Sequence, residues 1–259
     1  MDWRYEAIDV EPDRFEAVVH ELVQRGFAGA NVTIPHKLRA LESADSISAV
    51  AQAVGAANTL TFSEGRVAAD NTDVPGLLAA LNEAAPGAPA GMTALVLGAG
   101  GAARAAVYAL LSTGAARIAV WNRHPQRALA LVRDLDPAPG EGRLGQADEP
   151  DLRAAAGGVD LLVNATAVGM GSSPGPGGDS MRDFKELRLS ADDLHEQLVM
   201  VDLVYRDGGT ALVREARARG LRWVDGFDVL VHQGAASFEL WTGRPAPLEA
   251  MRNGARQRD

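Results

Sequence analysis

The sequence predicts an α/β chain of two lobes, the larger built on a doubly wound parallel sheet and the smaller a compact α/β unit. Three observations carry this. Beyond about residue 93, short unbroken apolar runs alternate with helical periods, the rhythm of parallel strands joined by crossover helices. The first of these runs ends in Gly98-Ala99-Gly100-Gly101, directly ahead of a helical pattern. Just upstream, residues 85–91 (APGAPAG) read as a linker between lobes.

The elements follow in order. Residues 4–10 (RYEAIDV) alternate weakly and are expected as a strand. Residues 11–26 set Phe15, Val18, Val19, Leu22 and Val23 at helical spacing and end on glycine. Residues 28–34 form a second expected strand, stopped by Pro35. A short helix passes through Leu38 and Leu41, and another helical segment covers residues 47–54. Residues 58–62 and 66–69 pair as a hairpin about Ser63-Glu64-Gly65, and residues 74–81 are helical. In the larger lobe, strands are expected at 94–97, 118–121, 161–163, 199–204 and 222–224. Helices are expected at 102–111 and 125–135, the latter with proline early, where its missing N–H costs nothing. The Pro/Gly-rich stretches 136–145 and 171–179 are expected as exposed, mobile loops. Helices at 229–241 and 247–256 close the chain. The smaller lobe should comprise residues 1–86 plus 226–259, the larger 87–225, with a site in the cleft between them.

Composition removes several classes of function. The 259 residues carry 34 acidic and 25 basic side chains, a formal charge of −9, so a nucleic-acid partner is not expected. No run of 18 uncharged apolar residues and no basic-then-apolar leader is present, so a cytoplasmic protein without membrane insertion is expected. Cysteine is absent, which excludes disulfides and thiolate chemistry, and no metal site is expected. Only Lys37 and Lys185 are lysines. In a chain that otherwise uses arginine for positive charge, a lysine stands out as a residue able to release a proton.

The glycine turn between a strand and a helix is the setting of a dinucleotide fingerprint. Gly98 permits the tight turn and Gly100 a close approach of pyrophosphate. Ala99, Gly101 and Ala102 complete the loop, whose free N–H groups face the phosphates, and Ala103 is small enough for tight helix packing. At the end of the next strand, an NAD-binding chain would place an acid for the ribose hydroxyls. Here Asn122 and Arg123 follow Trp121, with Arg127 one turn later, a set suited to a 2′-phosphate. NADP(H) is the expected cofactor.

Three segments of the smaller lobe stand apart from packing logic: residues 31–37 (NVTIPHK), 55–59 (GAANT) and 70–73 (DNTD). Each has a plain structural reading, Asp73 as a helix cap and Asn58 as a turn residue. Together with GAGGAAR, WNR, NATAVGM, DLVY and the stretch from Gln233 through GAASFELWTG, they resemble the shikimate dehydrogenase family over about residues 5–243, in the family's order. The resemblance implies reversible NADPH-dependent reduction of 3-dehydroshikimate to shikimate. It implies Lys37 and Asp73 as the catalytic pair. It also implies that Thr33, Asn58, Asp73, Gln233 and Tyr205 bind the substrate, and that Thr166, Met170 and Gly226 lie near the nicotinamide. A small-molecule substrate and a monomer or homodimer are the expected partners.

The chain departs from the family's pattern in places. It starts at what resembles the family's second strand, downstream of the Ser-x-Ser loop that holds the substrate carboxylate. Arg206 follows the DLVY tyrosine where proline is usual, and Val229 stands where methionine is common. Two alternatives stand beside this reading: a dehydrogenase of quinate or an aminated shikimate, which the site motifs separate poorly, and a non-catalytic NADP-binding relative disabled by the absent Ser-x-Ser segment. The absent acid after Trp121 argues against NAD-linked quinate oxidation.

Overall fold

The structure, a computed structural model, describes residues 3–136, 141–170 and 179–256. The smaller lobe opens with α1 (Phe15–Gln24), β1 (Gly29–Asn31), α2 (Lys37–Glu42), β2 (Ser46–Ile47) and α3 (Ala49–Val54). It continues through β3 (Thr59–Ser63), β4 (Arg66–Asp70) and α4 (Asp73–Ala84). Its four strands lie in the order β1-β3-β4-β2. The β3–β4 hairpin forms as expected, with Glu64 and Gly65 both at positive φ (51° and 77°), the signature of a tight primed turn.

The larger lobe holds β5 (Thr93–Leu97), α5 (Gly101–Ser112), β6 (Arg117–Trp121), α6 (Pro125–Leu135), β7 (Leu144–Gln146) and α7 (Leu152–Ala156). Then come β8 (Leu161–Asn164), α8 (Asp179–Glu186), β9 (Val199–Asp202), α9 (Ala211–Ala218) and β10 (Arg222–Val224). All six strands are parallel, in the order β10-β9-β8-β5-β6-β7. Counted from β5 this is the doubly wound 3-2-1-4-5-6 sheet, whose order reverses between β5 and β8. Alternate residues feed opposite faces. Val96, Ile118, Val163 and Val201 pack with α5 and α6, while Leu95, Leu97, Leu162 and Met200 pack with α7, α8 and α9. The chain returns to the smaller lobe through α10 (Gly226–Thr242) and α11 (Leu248–Arg256). At Gly76 a Cβ would lie 2.7 Å from the Gln233 backbone nitrogen, so glycine there brings α4 and α10 into direct backbone contact.

Several boundaries differ from expectation. Residues 4–10 form no strand. Side chains hold the segment beside the edge strand β1 instead: the Tyr5 hydroxyl donates to Asn31 Oδ1 (3.0 Å) and His36 Nε2 meets the Val10 carbonyl (2.8 Å). The helix expected from residue 47 begins at Ala49, because Ser48 caps it by accepting from Ala51 N, which leaves Ser46–Ile47 to pair with β4. The strand expected to residue 204 ends at Asp202, whose carboxylate takes the Val204 N–H and turns the chain. The helix expected from residue 229 starts at Gly226, capped by Asp225. Of the stretch 136–145, residues 137–140 lie outside the described residues and Leu144–Gln146 is an edge strand. Of 171–179, residues 171–178 lie outside them, and Asp179 opens a helix.

Candidate active site

Pro35, after β1, turns the chain into α2, and Lys37 is that helix's first residue. Asp73 is the first residue of α4. It does not cap the helix; the Asn71 side chain does that, accepting from Val74 N (3.2 Å). The Asp73 carboxylate is thus free to face Lys37, and Lys37 Nζ lies 2.6 Å from Asp73 Oδ2, with the two side chains only 13% and 16% exposed. The other oxygen is held as well. Asn58 Nδ2 lies 2.9 Å from Asp73 Oδ1, 2.9 Å from Thr72 Oγ1 and 3.1 Å from Gln233 Oε1. Asn58 Oδ1 in turn accepts from Thr72 N (2.7 Å). With both oxygens engaged the carboxylate cannot rotate, and the lysine ammonium has one place to sit.

Beneath Asn58 runs a buried hydroxyl layer that sequence reasoning did not assign. Ser237 Oγ lies within 3.0 Å of both Thr59 Oγ1 and Thr72 Oγ1, and Asn31 Nδ2 donates to it (2.8 Å). These residues lie inside the quoted motifs, but nothing local in the sequence separates a buried hydroxyl from a solvated one. Thr33 is exposed on the turn before α2, its carbonyl accepting from His36 N, and is not joined to the network. Tyr205 stands on the loop after β9, its ring 6.0 Å from that of Phe227.

Across from the pair lies the glycine turn. Gly98 has φ +115°, and a Cβ there would fall 2.7 Å from the Ala165 carbonyl, so glycine serves both the turn and the approach of the loop after β8. Around Gly100 no atom lies within 4 Å of a built Cβ, which leaves an open cradle at the start of α5. Ala99 and Ala102 flank it half-buried, and Gly101 faces the Lys37 stem. Asn122 donates to the His124 carbonyl (3.0 Å) at the end of β6. Arg123 and Arg127 are exposed beside it, with no ion-pair partner among the described residues. An open N-terminal cradle, two unpaired guanidiniums and no acid in residues 122–124 fit a dinucleotide bearing a 2′-phosphate.

The loop after β8 is pinned from below. Asn164 Oδ1 accepts from Thr166 Oγ1 (2.7 Å) and Thr166 N, and Asn164 Nδ2 donates to Asp202 Oδ1 (2.9 Å). Asp202 is fully buried and also accepts from Thr210 Oγ1 (2.5 Å). Burial pushes its carboxyl up to about 7, against the lowering effect of those hydrogen bonds. Met170 ends the described part of this loop and is half exposed. Gly226 touches the next loop, where a Cβ would clash with the backbone of Val204 and Tyr205. The unusual residues after Tyr205 have structural tasks: Arg206 donates to the Gly169 carbonyl and Thr210 caps α9. Val229 is buried on α10.

A doubly wound sheet with an open glycine turn, facing a lysine–carboxylate pair on a second lobe, defines a two-domain oxidoreductase that uses a dinucleotide. Family models narrow this. The shikimate dehydrogenase substrate binding domain matches residues 1–60, shikimate / quinate 5-dehydrogenase matches 81–168, and the shikimate 5'-dehydrogenase C-terminal domain matches 226–254. The chain belongs to the shikimate dehydrogenase family. It is 41% identical to the NADP(+) shikimate dehydrogenase of Methanopyrus kandleri, over 97% of this chain and 84% of that protein. The Thermus thermophilus shikimate 5-dehydrogenase, solved in complex with NADP(H) and shikimate, is 40% identical with a TM-score of 0.78, over 98% of this chain and 87% of that one. The quinate dehydrogenase of Corynebacterium glutamicum in complex with NAD is 29% identical with a TM-score of 0.79, over 92% of this chain and 80% of that one.

Proposed function

We propose that this chain reduces 3-dehydroshikimate to shikimate with NADPH and runs the reverse oxidation with NADP, with Lys37 and Asp73 as its catalytic pair. The observation that carries the reading is the 2.6 Å contact between them, on the face of the smaller lobe that meets the glycine turn. The nicotinamide, when bound, supplies the hydride that adds to the carbonyl carbon. Lys37 Nζ meets the charge that builds on the carbonyl oxygen and passes it a proton, and in the oxidation it takes that proton back. Asp73 aims the ammonium, and Asn58 keeps Asp73 from turning away. Asn58 and Gln233, with Thr33 and Tyr205 at the rim, are the groups assigned to the ring hydroxyls. A site built to pair hydroxyls discriminates strongly against a ring that lacks one. Asn122, Arg123 and Arg127 are assigned to the adenosine phosphate, and Thr166, Met170 and Gly226 to the nicotinamide end. The reading includes a cytoplasmic location, where dissociable NADP(H) is available, and a monomeric or homodimeric state.

The assay follows reduced nicotinamide by absorbance with shikimate or quinate and with NADP or NAD. Shikimate with NADP should exceed each other combination by about tenfold or more in kcat/KM. Faster turnover of quinate with NAD would overturn the substrate and cofactor assignment, and no turnover in any combination would overturn the enzymatic reading.

A further inference from the structure

We propose that Gly101 is a positioning residue for Lys37: its missing side chain is what lets the lysine stem lie against the start of α5. This rests on the proton-handling role of Lys37 given above. The neighbouring glycines have other reasons to be glycine. Gly98 needs its left-handed φ and the contact with Ala165, and Gly100 leaves the ligand cradle open. Gly101 has neither reason. It is the first residue of α5, is not at positive φ, and occupies a helical position where alanine is the better helix former. Yet a Cβ there would fall 2.9 Å from Lys37 Cβ, 3.1 Å from Cδ and 3.5 Å from Cγ. The nearest atom is Cβ, fixed by the backbone at the start of α2, so no rotamer of Lys37 clears it.

One turn further along α5, Arg104 fastens the same lobe by hydrogen bonds. Its Nε donates to the Val54 carbonyl at the end of α3 (2.8 Å), its guanidinium covers Gly55, and both Nη atoms reach Asp134 of α6 (3.2 Å). Residues three apart on a helix share a face. One face of α5 therefore sets the spacing of α2, by contact at Gly101, and of α3, through Arg104. Any shift of α2 moves Nζ relative to both Asp73 and the cradle, and displacements of about 1 Å at reacting groups cost up to about 100-fold in rate.

The test is Gly101→Ala, read two ways. Turnover at saturating NADP should show kcat down by about tenfold or more, a loss several-fold larger than any change in the dissociation constant for NADP. Thermal melting reads the contact without turnover: Gly101→Ala should lower Tm by about 2–4 °C in the parent, and by less than about 1 °C in a Lys37→Gly background, where the opposing Cβ is gone. Equal Tm changes in both backgrounds overturn the contact. A kcat loss matched by lost NADP affinity overturns the proposal in favour of a phosphate role. Melting as expected with unchanged kcat overturns the positioning role, and Lys37→Ala then separates the causes: if it too keeps its kcat, the fault lies in the reading of Lys37.

Discussion

The two lobes are held together by different physics. In the larger lobe, residues 94–97 of β5, 161–163 of β8 and 199–201 of β9 are unbroken apolar runs at essentially zero exposure, with aliphatic side chains packed on both faces. In the smaller lobe, β1 and β2 have three and two residues, and beside an apolar cluster around Phe15, Leu60 and Val67 lies a polar one of Asn58, Thr59, Thr72, Gln233 and Ser237, where β3 and the start of α4 meet α10. A parallel sheet tolerates a changed methyl by local repacking, whereas a polar cluster works only when every member keeps its partner. The dinucleotide lobe is thus built by burial, whereas the face of the smaller lobe that carries Lys37 and Asp73 is ordered by directed bonds.

The largest effect expected from breaking this division is at the lysine. Lys37→Ala should fold and bind NADP but lose about 100- to 10,000-fold in kcat, the usual range for a proton-transfer residue. Lys37→Arg should fail similarly, since guanidinium keeps the charge and cannot give up a proton. Steady-state kinetics beside NADP titration checks both, and near-parental kcat in either variant would remove Lys37 from the chemistry.

One substitution in each lobe sharpens the contrast. Leu162→Ala, at a fully buried site in β8, should cost about 2–5 kcal/mol of stability with kcat per folded molecule unchanged. Asn58→Ala should cost about 1–3 kcal/mol, because it orphans the Thr72 N–H, and should also cut kcat by freeing Asp73 to rotate. Denaturant midpoints with kcat of the folded fraction measure both. Unchanged kcat in Asn58→Ala would show that the polar cluster is only structural.

The same division explains what could be read from the chain. The parallel strands and the glycine turn are local patterns of apolar runs and backbone-permissive residues, so they were legible. Lys37 stands out in the sequence as one of two lysines, two residues after a proline, and the structure sets it against Asp73. The hydroxyl layer was not legible, because Ser237 meets Thr59 across 178 positions and a serine on a helix carries no mark of its partner. Nor were β2 and β7, which are too short to show a period. Residues 4–10 alternate like a strand but find no ladder, a reminder that pattern proposes a strand and a free edge must accept it.

Asp202 puts an ionisable group inside the lobe otherwise built by burial. Its carboxyl is raised to about 7 from an ordinary value near 3.8, so the folded state holds a proton that the unfolded chain has released. Stability should therefore fall as pH rises from about 4 to about 7, and the cost is complete above that window. Asp202→Asn mimics the protonated acid and can still accept from Asn164 and Val204 N. The variant's Tm should decline less than the parent's between pH 5 and pH 8. Identical slopes would show that Asp202 is not the group that titrates.

The smallest expected effect is at the rim of the larger lobe, where burial plays no part. Arg123 and Arg127 are exposed and have no ion-pair partner among the described residues, so removing either should leave stability within about 0.5 kcal/mol. If they meet a 2′-phosphate, each lost charge-assisted bond should weaken NADP by about tenfold. NAD, which lacks that phosphate, should bind Arg123→Ala as it binds the parent. Salt adds a further reading: exposed charge pairs are screened, so the gap between parent and variant for NADP should narrow as ionic strength rises. Titration of both nucleotides at low and high salt measures all of this. Equal losses for NADP and NAD would place Arg123 on the shared pyrophosphate and leave the cofactor preference to Asn122 and Arg127.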